Sequence, residues 1–442
     1  MRLQITPKLP VKLGKICFVL IFLIEVIALT GIKNYSTFSP GIGGRIKKRI
    51  DDFKVEEISP DGKVCEIRAF AGIEKKELEK QWPENSEERE HLVLELEKFN
   101  LDLNDAIRRI TRFLGVSRKR IGFAGMKDKR GITCQRISVW TPDYGKLKEF
   151  NSRYIDLRFG SWADERIDLG MLKGNKFEVT VREIGLSEKE VRERIEQCFK
   201  EMKGGIANYF GEQRFGGIRQ ITHLVGKQLV ERDFEGAIML YLTATSPGEE
   251  ESIKNARIQL AETKNFSEAT KAFPVKYRYE RSMIHHLCKY PKDFVGAFKK
   301  LPKQLRYMFT HAYQSYLFNK IINKRIEAGI GLKEIEGDIL EGGIPTAALF
   351  GFESELASGK PGEIEREALA EEGIELKEFQ VKEFSEVSSK GTRKQIALFP
   401  EKLELKAVEE DEFTEGKLKA MVSFYLGKGN YATTVLREIM KN

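Results

Sequence analysis

From about residue 235 the hydrophobic pattern of this chain changes period, and near residue 395 it changes back; that double switch limits the fold more than any single motif. Before it, apolar and polar residues alternate in the manner of strands. Phe53 and Val55, Val64 and Ile67, Leu92, Leu94 and Leu96, Ile137–Trp140, and Phe177, Val179 and Val181 all show this. Helical spacing then dominates, Leu305 to Ile326 included, until a lysine- and glutamate-rich stretch near 380. Strands return at 396–399 and 422–426, followed by a helix from Thr433 to Met440. Strand-rich ends around a helical middle predict an α+β protein in which both chain ends build one domain and a second is inserted. The expected limits are 1–40 for an N-terminal extension, 41–234 and 391–442 for the two parts of the main domain, and 235–390 for the insert. A chain of 442 residues is too long for one ordinary core, which agrees.

Local signals support this division. Asn104 is the expected N-cap of a helix carrying Ile107, Ile110 and Leu114, stopped by Gly115. Ser187 and Glu190 form a capping box ahead of Val191, Ile195, Cys198 and Met202. A loop is expected at Trp82-Pro83-Glu84-Asn85. At the N-terminus, Lys8, Lys12 and Lys15 precede the apolar run Ile16–Ile24, which Glu25 ends. That run is short of the roughly 18–20 residues a span needs, and no small-residue cleavage site follows it. An upstream extension, with a misassigned start codon as one origin, is expected, and no membrane attachment.

Several function classes drop out. Cys17, Cys65, Cys134, Cys198 and Cys288 are scattered without a CxxC pair, and no HExxH occurs, so neither a disulfide framework nor a metal site is expected. There is no P-loop, and Gly41-Ile42-Gly43-Gly44 lacks the strand and spacing of a dinucleotide fingerprint. No cofactor is expected, and a cytoplasmic setting fits. The net charge is +8, and the cations cluster at 45–49, 118–120, 127–130 and 390–394. Such clusters are either solvated faces or a phosphate-tracking surface.

Two segments carry chemistry. Gly122 to Gln135 reads GFAGMKDKRGITCQ, with the lone carboxylate Asp128 between Lys127 and Lys129-Arg130. Neighbouring cations are expected to hold that acid ionised below neutral pH and to attract phosphate. Asn208 to Gly216 reads NYFGEQRFG, where aromatics, an amide and a guanidinium offer stacking, base-edge hydrogen bonds and a phosphate contact. Each alone also reads as a charged turn or a buried aromatic turn.

Together with five further motifs they resemble the tRNA pseudouridine synthase D (TruD) family, archaeal branch. The resemblance runs from Ile46-Lys47 and Asp52–Glu57, through Phe123-Ala124-Gly125 with Lys127–Lys129, to Leu169-Gly170 with Leu172–Asn175 and Phe177. It continues through NYFGEQRFG, Tyr316–Asn319, Glu336–Asp338, and Gly429–Thr434 with Leu436–Glu438. It implies a pseudouridine-synthase catalytic domain of mostly antiparallel sheet with an inserted α/β TRUD domain. It implies isomerisation of a tRNA uridine, expected at position 13, by a cofactor-free enzyme whose partner is tRNA and which acts as a monomer. Asp128 matches the catalytic acid and Lys47 a basic residue beside it. Phe210 matches the aromatic packed on the target base, and Phe53, Asn208 and Tyr431 match positions lining the uridine pocket. Arg214, Arg393 and Lys394 are candidates for the RNA backbone or for buried ion pairs. Ala207 and Gly427 stand where the family commonly has proline, and Lys394 where arginine is frequent. A non-catalytic RNA-binding protein is the alternative, although a pure binder gains nothing from an acid facing phosphates.

Overall fold

The computed structural model describes residues 30–442 except Ile73, Lys80, Gln81, 83–88 and Ile218. The apolar run from Ile16 to Ile24 and Pro83, Glu84 and Asn85 of the expected loop lie outside the described residues. Among those described, no helix is long and apolar enough to cross a membrane. The chain forms two compact units: Tyr35–Ile206 with Leu398–Asn442, and residues 30–34 with Ala207–Ala397.

The first unit is built on one sheet. Its strands are β1 (Phe53–Ile58), β2 (His91–Phe99), β3 (Ile121–Phe123), β4 (Ile132–Trp140), β5 (Ile155–Ala163), β6 (Gly174–Ile184), β7 (Glu401–Glu410) and β8 (Leu418–Gly427). The order is β7-β8-β6-β1-β4-β2-β5, with β3 on β4. Every pairing is antiparallel except β1 with β4, where Lys54 lies opposite Ile132. The edge strand β7 alternates as well, with Leu403, Leu405 and Ala407 on the covered side and Glu404 and Lys406 exposed; its glutamates and lysines discourage further pairing there. Two apolar clusters cover the sheet. The helices Glu188–Met202 and Ala432–Met440 bury Val191, Ile195 and Ile439 with Val179, Val422 and Phe424. The helix Leu103–Leu114 buries Ile107 and Ile110 with Leu92, Leu94 and Leu96. Each such side chain removed from water contributes about 1.5–3 kcal/mol before chain entropy is charged against it.

The capping box at Ser187 and Glu190 is present. The expected N-cap Asn104 is corrected: Asp102 caps the helix by accepting from the Asn104 backbone N–H, and the chain leaves it at Gly115 in the left-handed region. Arg182 of β6 is a buried hub, donating to Asp52 before β1, to Asp411 in the β7–β8 turn and to Glu412. Through Asp52, which also accepts from the Arg49 N–H, it fixes the segment leading into β1.

The second unit is helical, with a three-stranded antiparallel sheet of Leu340–Glu341, Ile344–Leu349 and Thr392–Gln395. Its axis is the 25-residue helix Lys303–Glu327, whose Tyr313, Leu317, Phe318, Ile321 and Ile322 are buried. The NYFGEQRFG block joins this unit, as Tyr209, Phe210 and Phe215 share a core with Phe318, so the units part at 206/207 and 397/398 while the pattern change was expected at 235 and 390.

Candidate active site

The carboxylate of Asp128 lies on the turn between β3 and β4, with 37% of its side chain exposed. Lys47 Nζ donates to Asp128 Oδ1 at 2.8 Å and sits 3.9 Å from the centre of the Phe53 ring. The parallel pairing explains the meeting. Lys47 precedes β1 and Asp128 precedes β4, so these two strands bring both segments to the same end of the sheet. Close approach is needed: a Cβ on Gly131 would fall 2.5 Å from the Phe53 carbonyl oxygen. Lys47 adopts φ +57°, a left-handed conformation that disfavours a branched-off side chain, and the Arg130 guanidinium holds it there by donating to the Lys47 and Lys48 carbonyls.

The turn is gripped along its length. Gln135 donates to the Gly125 carbonyl at 2.9 Å, Lys98 to the Asp128 carbonyl at 2.7 Å, and the Asn100 N–H to the Gly131 carbonyl at 2.9 Å. The expected shell of cations around the acid is corrected here. Lys127 turns inward to a buried ion pair with Glu57 at 2.7 Å, Arg130 is spent on backbone carbonyls, and Lys47 is the cation on the carboxylate. A buried charge seeks the nearest opposite charge, and for Lys127 that is Glu57. Phe53 is only 1% exposed, packed edge-on to Phe177 and capped by Lys47, so it forms the floor beneath the lysine. Tyr431 opens the final helix with 44% of its surface exposed.

The other sequence candidates lie in the helical unit. Asn208 is 2% exposed; its amide nitrogen donates to the Gln395 carbonyl at 3.0 Å, while its side-chain oxygen has no hydrogen-bond partner among the described residues. Asn319 of the long helix clamps Phe210 by accepting from its N–H at 2.9 Å and donating to its carbonyl at 3.0 Å. The Phe210 ring packs edge-on to Phe318, with the Arg214 guanidinium 5.6 Å from its centre. Lys394 Nζ lies 5.2 Å from the Phe210 ring centre and 5.3 Å from that of Phe318, and donates to the Asn208 carbonyl at 3.3 Å. Burial without a carboxylate partner brings its pKa down to about 7. Arg214 donates to Ser315 Oγ. Arg393 takes the ion-pair alternative, bonding the buried Glu365 at 2.7 Å together with Thr346 and the Glu355 carbonyl.

The structure thus groups Asp128, Lys47 and Phe53 in the sheet unit, and Asn208, Phe210 and Lys394 in the helical one. Lys98 had no place in the sequence reading, while Glu57 and Asn319 stood in its motifs without an assigned role. For Lys98 a signal existed: it follows Leu92, Leu94 and Leu96 on the inward side of β2, where a lysine must be buried.

A large, mostly antiparallel sheet flanked by helices, interrupted by a helical insert and bearing one accessible acid on a gripped turn, is the α+β architecture of a pseudouridine synthase with a TRUD insert. The family model for tRNA pseudouridine synthase D (TruD) matches residues 29–343 and 341–439, and the chain belongs to that family. A probable tRNA pseudouridine synthase D of Methanococcoides burtonii is 40% identical over 93% of this chain and 96% of its own length. Another, from Methanocaldococcus jannaschii, is 41% identical over 90% of this chain and 96% of its own. The crystal structure of a putative tRNA pseudouridine synthase D from Methanosarcina mazei is 38% identical, with a TM-score of 0.77 over 95% of this chain and 98% of that one.

Proposed function

We propose that this chain isomerises a uridine of tRNA, at position 13, to pseudouridine, with Asp128 carrying the reaction and no cofactor taking part. The observation that carries this reading is the half-open Asp128 carboxylate, ion-paired to Lys47 on a turn whose backbone is held at three carbonyls. Preorganisation of this kind is what a reacting group requires. The N1–C1′ bond breaks, the uracil turns, C5 bonds to C1′, and the C5 proton leaves while N1 gains one. No electrons or phosphoryl groups are exchanged. Asp128 serves either as nucleophile at C1′ or as base on the sugar, and both roles need the ionised acid.

The target base must leave its stack, and the protein must replace what it loses. Asn208 supports this part: its buried oxygen, unpartnered among the described residues, can accept only from a donor, and the one ring donor on a uracil edge is N3–H.

Asp128→Asn should keep tRNA binding and lower pseudouridine formation by about 10³-fold or more. Tritium release from tRNA labelled at uridine C5 measures this. Equal product from both proteins would leave an RNA binder and no catalytic role for Asp128.

A further inference from the structure

Lys98 is a fully buried lysine whose one hydrogen-bond partner among the described residues is the backbone carbonyl of Asp128, at 2.7 Å. No carboxylate among the described residues forms an ion pair with it. Its side chain leaves β2 on the same side as Leu94 and Leu96, while Glu97 points to the opposite side and meets Arg158. A lone ammonium in such a place costs stability, and the bond it makes is to the turn that carries the reacting acid.

We propose that Lys98 is a positioning residue for the isomerisation: its ammonium, anchored in the sheet, holds the Asp128 turn in the reactive pose, and loss of its proton loosens that turn. The inference rests on Asp128 being the reacting acid. An ammonium donating to a carbonyl makes a charge-assisted bond, roughly twice as strong as that of a neutral amine. The bond also places a fixed positive charge next to the residue whose negative form reacts. The groups acting on Lys98 are Asp128 and Asp102, which favour its proton, and Lys127, which disfavours it but is itself paired with Glu57. Its register partners on the flanking strands, Thr133 and Ile155, carry no charge. Burial prevails over the acids and brings its pKa down to about 8. The proton is therefore present at neutral pH and lost within the range where enzymes are assayed.

The test is single-turnover pseudouridine formation on a tRNA transcript from pH 6 to 9.5, with wild type, Lys98→Met, Lys98→Gln and Asp128→Asn. Wild-type rate should fall above about pH 8. Lys98→Met should be slower at pH 7 by about 10–100-fold, with tRNA affinity within about twofold of wild type and without the alkaline limb. Lys98→Gln, which keeps a neutral donor, should lie between them. A Lys98→Met enzyme with the wild-type rate and the same alkaline limb overturns the proposal. If that variant is unfolded at the assay temperature, Lys98→Gln decides: a profile without the wild-type alkaline limb supports it, and the same limb in both proteins overturns it. An active Asp128→Asn enzyme sinks the parent reading instead, so the two failures are distinguishable.

Discussion

Lys47 reaches Asp128 at 2.8 Å from a backbone conformation, φ +57°, that a lysine adopts at a cost. Removing that side chain separates function from stability. The left-handed conformation costs about 1 kcal/mol in a non-glycine residue. The partly exposed ion pair returns about 1 kcal/mol at most. Lys47→Gly should therefore stay within about 1 kcal/mol of wild-type stability, while pseudouridine formation falls about 10–100-fold. Denaturant unfolding alongside single-turnover kinetics measures both. A variant several kcal/mol less stable yet fully active would make Lys47 a structural residue.

Asn208 keeps a buried oxygen unpartnered among the described residues, a cost of about 1–3 kcal/mol that the fold tolerates. Asn208→Ala should slow turnover about 10–100-fold at saturating tRNA, since one base contact is lost from many contacts to RNA. Unchanged turnover would remove Asn208 from uridine recognition.

Adjacent residues 393 and 394 should respond in opposite ways. Arg393→Ala strands the buried Glu365 and should destabilise the protein by about 3 kcal/mol. Lys394 has a folded pKa of about 7, below the unfolded value, so the unfolded chain binds the extra proton between pH 7 and 10.5. Stability from this group accordingly rises with pH across that window. Lys394→Met should stabilise at pH 6, by about 1–3 kcal/mol, and much less at pH 9. Its effect on tRNA affinity should run the same way, because only the protonated amine attracts phosphate. An equal loss of affinity at pH 6 and pH 8.5 would contradict this.

His223 sets an acid limit on the helical unit. Its ring lies between Phe215 and Tyr316, neither nitrogen has a hydrogen-bond partner among the described residues, and burial lowers its pKa to about 4 against the usual 6.5. The folded state resists the proton that the unfolded state accepts. This contribution is intact above pH 6.5 and is lost as pH falls toward 4, up to about 3 kcal/mol. His223→Phe should match wild type at pH 7 and lose less stability by pH 4.5, read as the midpoint of thermal unfolding. Parallel losses in both proteins would assign the acid limit elsewhere.

Much of the fold is legible in the residues themselves. The capping box at Ser187, the stop at Gly115 and the helix through Leu305 to Ile326 are short-range events, decided by spacing and backbone preference. The strand β7 did not stand out, because charged residues fill both ends of its short alternating run Leu403, Leu405 and Ala407. The inner structure of the site was legible only in part. Asp128, Lys47 and Asn208 stand in recognisable motifs, but a motif does not say which charge a lysine will meet.

The sequence by itself determined the family, the turn bearing Asp128 and the alternation of strand-rich ends with a helical middle, since these follow from local pattern and from motifs in order. Tertiary structure supplied the contact between residues 47 and 128 that the resemblance implied, through the parallel pairing of β1 with β4. It also decided that Lys127 serves Glu57 while Lys98 serves Asp128. The physical reason is that charges in a folded interior are satisfied by what lies nearest in space, and the sheet brings together strands far apart in the chain.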